Sequence, residues 1–439
     1  MDIEWYWALA ILIGMVMFFM AMGIPVAMTF ITANIIGALI FMGDWSAWTQ
    51  IVDNSTSLLT RFTLGPVPMF IMMGALFFHT GLAIRVFDGL DVLFGRLQGR
   101  LCYLTVAGGA VFSTLTGSSM ANTAMLGSLM VPEMQRRGYN RRMSMGPILG
   151  TGGLAMIIPP SALGVLLASV ANIDVGSLLI AGFLPGFLLA GLYAILIFLQ
   201  IKINPESAPA YAVDMPPVRE RVKLVCTNIL PMGLVVFMVI GFIILGWTTP
   251  TEAAAFGVLG VMILAIAFRV LTFTALRASI EATVKVGAMV FFIIMSSTVF
   301  SQLLAYSGAS AGLLEWATGF GISKYWILLM MFFILITLGM FMDATSMMLI
   351  TVPIFFPLAQ QLGFDLIWFG LFVLMTFEMA GTTPPFGLLL YVMLGVAPKG
   401  TTLFQVANAA FPYLVCDAIL ILILIAFPGL ALWLPGMMY

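Results

Sequence analysis

The chain has 439 residues, of which 62% are hydrophobic and only 8% charged, where an average soluble domain carries roughly 25% charge. So little charge cannot cover a water-soluble fold of this size, so lipid must solvate most of the chain. Seventeen Lys and Arg against 18 Asp and Glu leave no basic excess for nucleic acid, and a single histidine, His79, leaves little room for histidine chemistry. Cys102, Cys226 and Cys416 fall in separate apolar stretches, which suggests neither a disulfide framework nor a metal cluster.

In chain order, the first residues, MDIEWYW, are acidic and aromatic where a cleavable signal would be basic. Trp5, Tyr6 and Trp7 read as an interfacial belt heading a retained helix in the apolar run 5–42. Residues 45–61 are more polar and suit an amphipathic helix along the interface. His79 reads as a helix-end residue, since Gly81 follows. The mixed-sign cluster Arg85, Asp88, Asp91, Arg96 and Arg100 reads as a solvated connection. STLTGSSMANTAMLGS (113–128) then places small hydroxyl and amide residues inside an apolar region, and GPILGTGGLAMIIPPSALG (146–164) ends in Pro-Pro. The most polar, Pro-rich stretch is 202–223. Beyond it come apolar runs at 225–247, 255–271, 325–342 and 402–436, and a more polar stretch, 272–286, read like 45–61. The polar breaks 338–352 and 374–390 complete the series. A barrel would alternate in segments of about ten residues. These long continuous runs instead predict a polytopic α-helical bundle with roughly ten to fourteen membrane-embedded segments, at about 20 residues per span.

Sliding the chain by 225 brings its landmarks into register. Pro25 falls on Pro250, Pro132 on Pro357, Gly138 on Gly363, and Pro159-Pro160 on Pro384-Pro385. Two repeats are expected, 1–201 and 224–439, joined by a linker at 202–223. Charge gives their orientation. Loop 136–142 carries Arg136, Arg137, Arg141 and Arg142, whereas 361–367 has no Lys or Arg and one acid, Asp365. By the positive-inside rule the first loop is cytoplasmic and its counterpart is not, so the repeats are inserted with inverted topology. Inverted repeats with broken helices point to a secondary transporter with its site near the midplane; duplication retained in another kind of membrane protein is the alternative.

The breaks carry the chemistry. Gly and Pro free carbonyls and amides, which membrane depth tolerates only in buried or wet surroundings. Such carbonyls, with Ser, Thr and Asn oxygens, suit Na⁺, and half-helix N-termini face an anion. One broken pair per repeat predicts two cation sites flanking one substrate site. Asp343 is the sharpest residue: it either ligates a cation or caps a helix starting at Ala344. Glu378, which falls on Gly153 at the 225 offset, reads equally as functional or as part of a structural ion pair. Ser118, Ser119, Asn122 and Thr123 could be packing residues, since small polar residues pack membrane helices, but four within six positions beside Gly117 favour a functional break; Thr151, Gly152 and Gly153 have the same ambiguity.

GSSMANTAMLGSLMVPEMQRRGY, GTGGLAMIIPPS, DATSMMLITVPIFFP and GTTPPFGLLLYV resemble, across essentially the whole chain, the large membrane (M) subunit of tripartite ATP-independent periplasmic (TRAP) transporters. The resemblance implies an elevator-type transporter, with a scaffold and a mobile transport domain. That domain would hold re-entrant hairpins at about 101–135 and 324–358 and unwound helices at about 143–172 and 366–396. It implies Na⁺ coordination by Ser118, Asn122, Gly152 and Pro159 on one side and by Gly339, Asp343, Ser346, Thr382 and Thr383 on the other. Substrate would sit near Ser119, Thr123 and Ser161. Na⁺ is the coupling ion, and no other metal or cofactor is expected. The implied partners are a small four-helix membrane subunit (Q), expected as a separate chain because this one opens at its first M-type helix, and a periplasmic binding protein (P). The implied location is the bacterial inner membrane.

The reading is therefore Na⁺-coupled import of a small organic acid anion. The alternative is a stand-alone Na⁺- or H⁺-coupled anion symporter that needs no binding protein. A membrane serine protease lacks a GxSxG match and has only His79 as a histidine, so the protein is not expected to be an enzyme. A channel fits two occluding hairpins poorly. No GxxxxGK[ST] motif is present, so ATP does not drive the process.

Overall fold

The computed structural model describes residues 3–42, 46–59, 64–95, 97–116, 119–209, 217–319 and 321–438. Among these the regular structure is helical. In the first half run α1 (Trp5–Ala21), α2 (Val26–Phe41), α3 (Ser46–Leu59), α4 (Pro66–His79) and α5 (Leu82–Phe94). They are followed by α6 (Arg100–Thr116), α7 (Ser119–Arg136), α8 (Arg141–Ile157), α9 (Ala162–Ala171) and α10 (Val175–Ile203). The second half contains α11 (Val218–Leu224), α12 (Leu230–Ile244), α13 (Pro250–Ala267), α14 (Phe273–Tyr306) and α15 (Ala309–Gly319). After these come α16 (Lys324–Gly339), α17 (Ala344–Gln361), α18 (Leu366–Thr382), α19 (Leu388–Val396), α20 (Leu403–Ala426) and the short α21 (Gly429–Leu432).

Local sequence explains many of the boundaries. Asn140, Ser161, Asp174, Thr249, Thr272, Asp365 and Thr402 each cap a following helix by accepting a hydrogen bond from a first-turn N–H. Gly138 and Gly363 take left-handed φ values of 81° and 73° at the ends of α7 and α17, where a side chain would be strained. α17 begins and ends 225 residues after α7, and α18 does the same after α8.

Among the described residues, five helical stretches are long and apolar enough to cross a membrane, or seven if each of two bent pairs is one span; five shorter apolar helices accompany them. One expectation changes here. Residues 272–286 are not a separate interfacial helix but the first half of α14, a continuous 34-residue helix. No proline interrupts this stretch, so its polar residues Arg277, Glu281 and Lys285 ride on the end of a spanning helix. Within 45–61, the described residues Ser46–Leu59 do form a separate helix, α3.

α8 and α18 lie at the centre, packed against each other and both against α10 and α20. α6 and α7 cover α8, while α16 and α17 cover α18. Outside them, α4 packs on α13 and α14, and α14 on α2. A separate apolar cluster joins Leu12, Phe30, Ile293 and Phe300 of the outer helices to Leu349 and Ile350 of α17.

Candidate functional site

α8 stops at Ile157, and the chain runs through Ile158-Pro159-Pro160-Ser161 before α9 resumes, bent by 42°. α18 stops at Thr382, and Thr383–Gly387 precede α19. Proline supplies no N–H, and at each Pro-Pro pair the last carbonyls of one helix and the first amides of the next lose their ladder. Two further helices begin beside these breaks: α7 at Ser119 and α17 at Ala344.

All four N-termini open into one cavity of about 430 Å³. The first residues of α7 (Ser119, Met120, Ala121), α17 (Ala344, Thr345, with its cap Asp343), α9 (Ala162, Leu163) and α19 (Leu388, Leu389) line it. α4 and α14 close the opposite side. Each helix N-terminus carries roughly half a positive charge. The convergence therefore contributes positive potential without any lysine or arginine among the described lining residues, with the Asp343 carboxylate set against the α17 end.

Asp343 Oδ2 accepts from Thr345 N at 3.0 Å and Ser346 N at 3.2 Å, and Ser346 Oγ hydrogen-bonds Oδ1. The capping geometry weighed from sequence is thus present, and the same carboxylate borders the cavity. Ser161 caps α9 in parallel, its Oγ accepting from Gly164 N at 3.0 Å. Gly387 precedes α19 and offers no side chain to cap it.

The other expected residues fall into two groups beside these breaks. In the first, Asn122 donates from Nδ2 to Thr151 O at 2.9 Å, tying α7 to α8. A Cβ on Gly152 would run into Thr123 Oγ1, so the glycine permits that approach. Pro159 is buried in the break, and Ser118 lies outside the described residues. In the second, a Cβ on Gly339 would meet Ala380 and the Met347 sulfur, which seats the end of α16 against α18. Ser346 is buried beside Asp343, and Thr382 and Thr383 donate to Met379 O at 3.2 and 2.6 Å. Of the three residues expected at substrate, Ser119 lines the cavity, whereas Thr123 and Ser161 are buried behind it. The Ser119 and Thr123 hydroxyls have no hydrogen-bond partner among the described residues, and buried polar groups rarely stay that way.

A second polar cluster lies deeper. Tyr193 of α10 donates its hydroxyl to Asp417 Oδ1 of α20 and stands 3.4 Å from Glu378 Oε1 of α18. The Tyr413 ring packs edge-on against Tyr193 at 5.1 Å. Glu378 occupies space that a side chain on Gly153 would fill. Glu378 is therefore part of a buried hydrogen-bonded cluster, and no ion pair to it is present among the described residues. Sequence reasoning had not singled out Asp417 or Tyr193. An isolated acid within the apolar run 402–436 was the available signal, by the same rule that marked Asp343.

Broken helices whose N-termini meet at one cavity inside an apolar helical bundle define a polytopic membrane protein built for transport. Comparison with known proteins agrees. The family model described as "Tripartite ATP-independent periplasmic transporter, DctM component" matches residues 13–430, and the chain belongs to this family. The family is one of transporter permease components. The C4-dicarboxylate TRAP transporter large permease protein DctM of Pseudomonas aeruginosa is 32% identical over 380 residues, 86% of this chain and 87% of that one. The ectoine TRAP transporter large permease protein TeaC of Halomonas elongata is 26% identical over 434 residues, 98% of each. The sialic acid TRAP transporter permease protein SiaT of Haemophilus influenzae is 24% identical over 431 residues, 98% of this chain and 68% of that one. The crystal structure of the YdaH transporter of Alcanivorax borkumensis shares the fold, with a TM-score of 0.63 at 14% identity over 88% of this chain and 90% of that chain.

Proposed function

We propose that this chain is the permease that carries substrate in a Na⁺-coupled, three-part importer of a small organic anion, located in the bacterial inner membrane. One observation carries the reading: four helix N-termini open on a single cavity. Their summed dipoles favour an anion at a depth where an unpaired charge would be costly. Behind them, the Asn122, Gly152 and Pro159 region and the Gly339, Asp343, Ser346, Thr382 and Thr383 region each gather hard oxygens at a broken helix, and each holds one Na⁺. The matching bounds of α7 and α17, and of α8 and α18, support two repeats inserted with inverted topology. The hairpins α6–α7 and α16–α17 and the broken helices α8–α9 and α18–α19 form a body that moves as an elevator against the outer helices. A four-helix Q subunit steadies those outer helices, and a periplasmic P protein delivers substrate.

The test is uptake into proteoliposomes containing this chain with its Q subunit. Uptake is expected only with a loaded binding protein outside and an inward Na⁺ gradient. Equal uptake of free substrate without the binding protein would favour a stand-alone symporter. Uptake driven by a proton gradient in Na⁺-free buffer would remove the Na⁺ assignment.

A further inference from the structure

We propose that the groove between α16 and α20 binds an anionic glycerophospholipid, with one acyl chain in the groove and the phosphate at Lys324. The groove has a volume of about 390 Å³ and lies apart from the central cavity. Trp326, Leu329 and Phe332 of α16 form one wall, Leu422 and Ile425 of α20 form the other, and Phe372 of α18 lies between them. Trp326 and Leu422 are 62% and 65% exposed, so the rim is open to the hydrocarbon that surrounds the bundle. The polar lining residues, Ser323 and Tyr325, both stand at one end, where α16 begins.

That end carries the charge. The Lys324 ammonium stands 4.9 Å from the centre of the Phe364 ring and 5.7 Å from that of Tyr325, and it makes no ion pair among the described residues. The carboxylate of Asp365, beside Phe364, is turned instead to Ile367 N and Trp368 N, 2.8 and 3.0 Å away, as the cap of α18. Ser323 makes no side-chain capping bond, so a lysine sits on the positive end of α16, an unfavourable pairing that a phosphate would relieve. Tyr325 and Trp326 are belt residues that set this end at headgroup level. From Ser323 to Phe332, α16 rises about 14 Å, close to half of the ~30 Å hydrocarbon core. The groove is thus as deep as one leaflet, and Phe332, 6.4 Å from Phe372, closes its inner end. A partner transmembrane helix would need a contact that crosses the whole core and prefers small residues along it; here the one small residue beyond the mouth is Ala418, at the inner end. The floor is already built. Phe364, Trp368 and Phe372 stack in a row with centroids 5.4 and 5.8 Å apart, and Trp368 donates from Nε1 to Leu424 O at 2.9 Å, holding α18 to α20. A site formed before its ligand arrives loses little affinity to ordering.

The experiment uses the full chain, stripped of lipid in maltoside detergent, with palmitoyl-oleoyl phosphatidylglycerol and the phosphatidylcholine of the same chains as probes. Native mass spectrometry counts the retained lipids and a titration gives their Kd. One tightly held phosphatidylglycerol is expected, bound about fivefold more tightly than phosphatidylcholine, the worth of one lysine near an anionic headgroup. Lys324→Gln should remove that preference and leave binding of phosphatidylcholine unchanged. Ala418→Phe, which fills the inner end, should weaken both lipids about tenfold or more. Its melting temperature without lipid shows whether it folds; if it does not, Leu329→Trp, at a side chain 40% exposed, obstructs the groove from its rim. Equal affinity for the two lipids in the unaltered chain removes Lys324 as the phosphate site and overturns the proposal. A tight lipid that persists unchanged in the folded groove-filling variant lies elsewhere and also overturns it. A co-purifying polypeptide that lipid cannot displace, and that Ala418→Phe releases, would make the groove a protein interface instead.

Discussion

The two broken helices are built on one plan and finished differently. At the α8–α9 break, Ile157 through Ser161 are all buried. At the α18–α19 break, Pro384, Pro385 and Phe386 are exposed, Phe386 by 49%. The neighbouring helix explains the contrast. α10 brings Gly182 and Gly186 against Ile157 and Ile158, so close that a Cβ on Gly182 would strike the Ile157 carbonyl oxygen. The positions 225 residues on, in α20, are Ala407 and Phe411, and Phe411 is 62% exposed. Glycines let α10 lie directly on the first break; the corresponding positions of α20 carry side chains. One break is enclosed by its surroundings while the other is exposed.

The contrast can be broken most directly by chemical labelling. In a variant lacking Cys102, Cys226 and Cys416, a cysteine introduced by Phe386→Cys should react with a membrane-impermeant maleimide many times faster than one introduced by Pro160→Cys. Equal rates would show that both breaks open alike. Packing gives the next largest effect. Gly182→Ala forces a methyl group against backbone that cannot rotate away, and should lower stability by about 1–3 kcal/mol, read as a fall in melting temperature. A loss no greater than that of an Ala407→Val control would mean that α10 does not clamp the first break. The smallest effect separates the two caps. Ser161→Ala and Asp343→Ala should each cost about 0.5–2 kcal/mol as lost helix caps, but only Asp343→Ala should also abolish the extra stabilisation by Na⁺ over K⁺, since a ligand bound only by the folded state raises its stability. Equal Na⁺ responses in the two variants would leave Asp343 as a cap alone.

Much of this was legible in the sequence because breaks are local. The Pro-Pro pairs, Gly138 and Gly363 dictate backbone behaviour wherever they stand, so the ends of α7, α8, α17 and α18 follow from the residues themselves. The Asp343 cap was likewise readable as a possibility. The long continuation of α14 was not, because surface polarity at 272–286 cannot distinguish an interfacial helix from the wet end of a spanning one. The Tyr193–Asp417–Glu378 cluster was hidden for another reason. Its members are more than 30 residues apart on three apolar helices, and only the packing of α10, α18 and α20 joins them.

Gly153 and Glu378 stand 225 residues apart and touch each other. In the repeat reading they are the same position in two copies of one unit, and equivalent positions meet only at the axis that relates the copies. A residue on such an axis cannot pack against its own duplicate freely. Two glycines would leave a hole between α8 and α18, and two glutamates would collide. A duplicated ancestor with identical halves would therefore be frustrated at this point, and a large residue facing a vacancy resolves the conflict. The pair marks a place where the two halves had to become unlike in order to fit together.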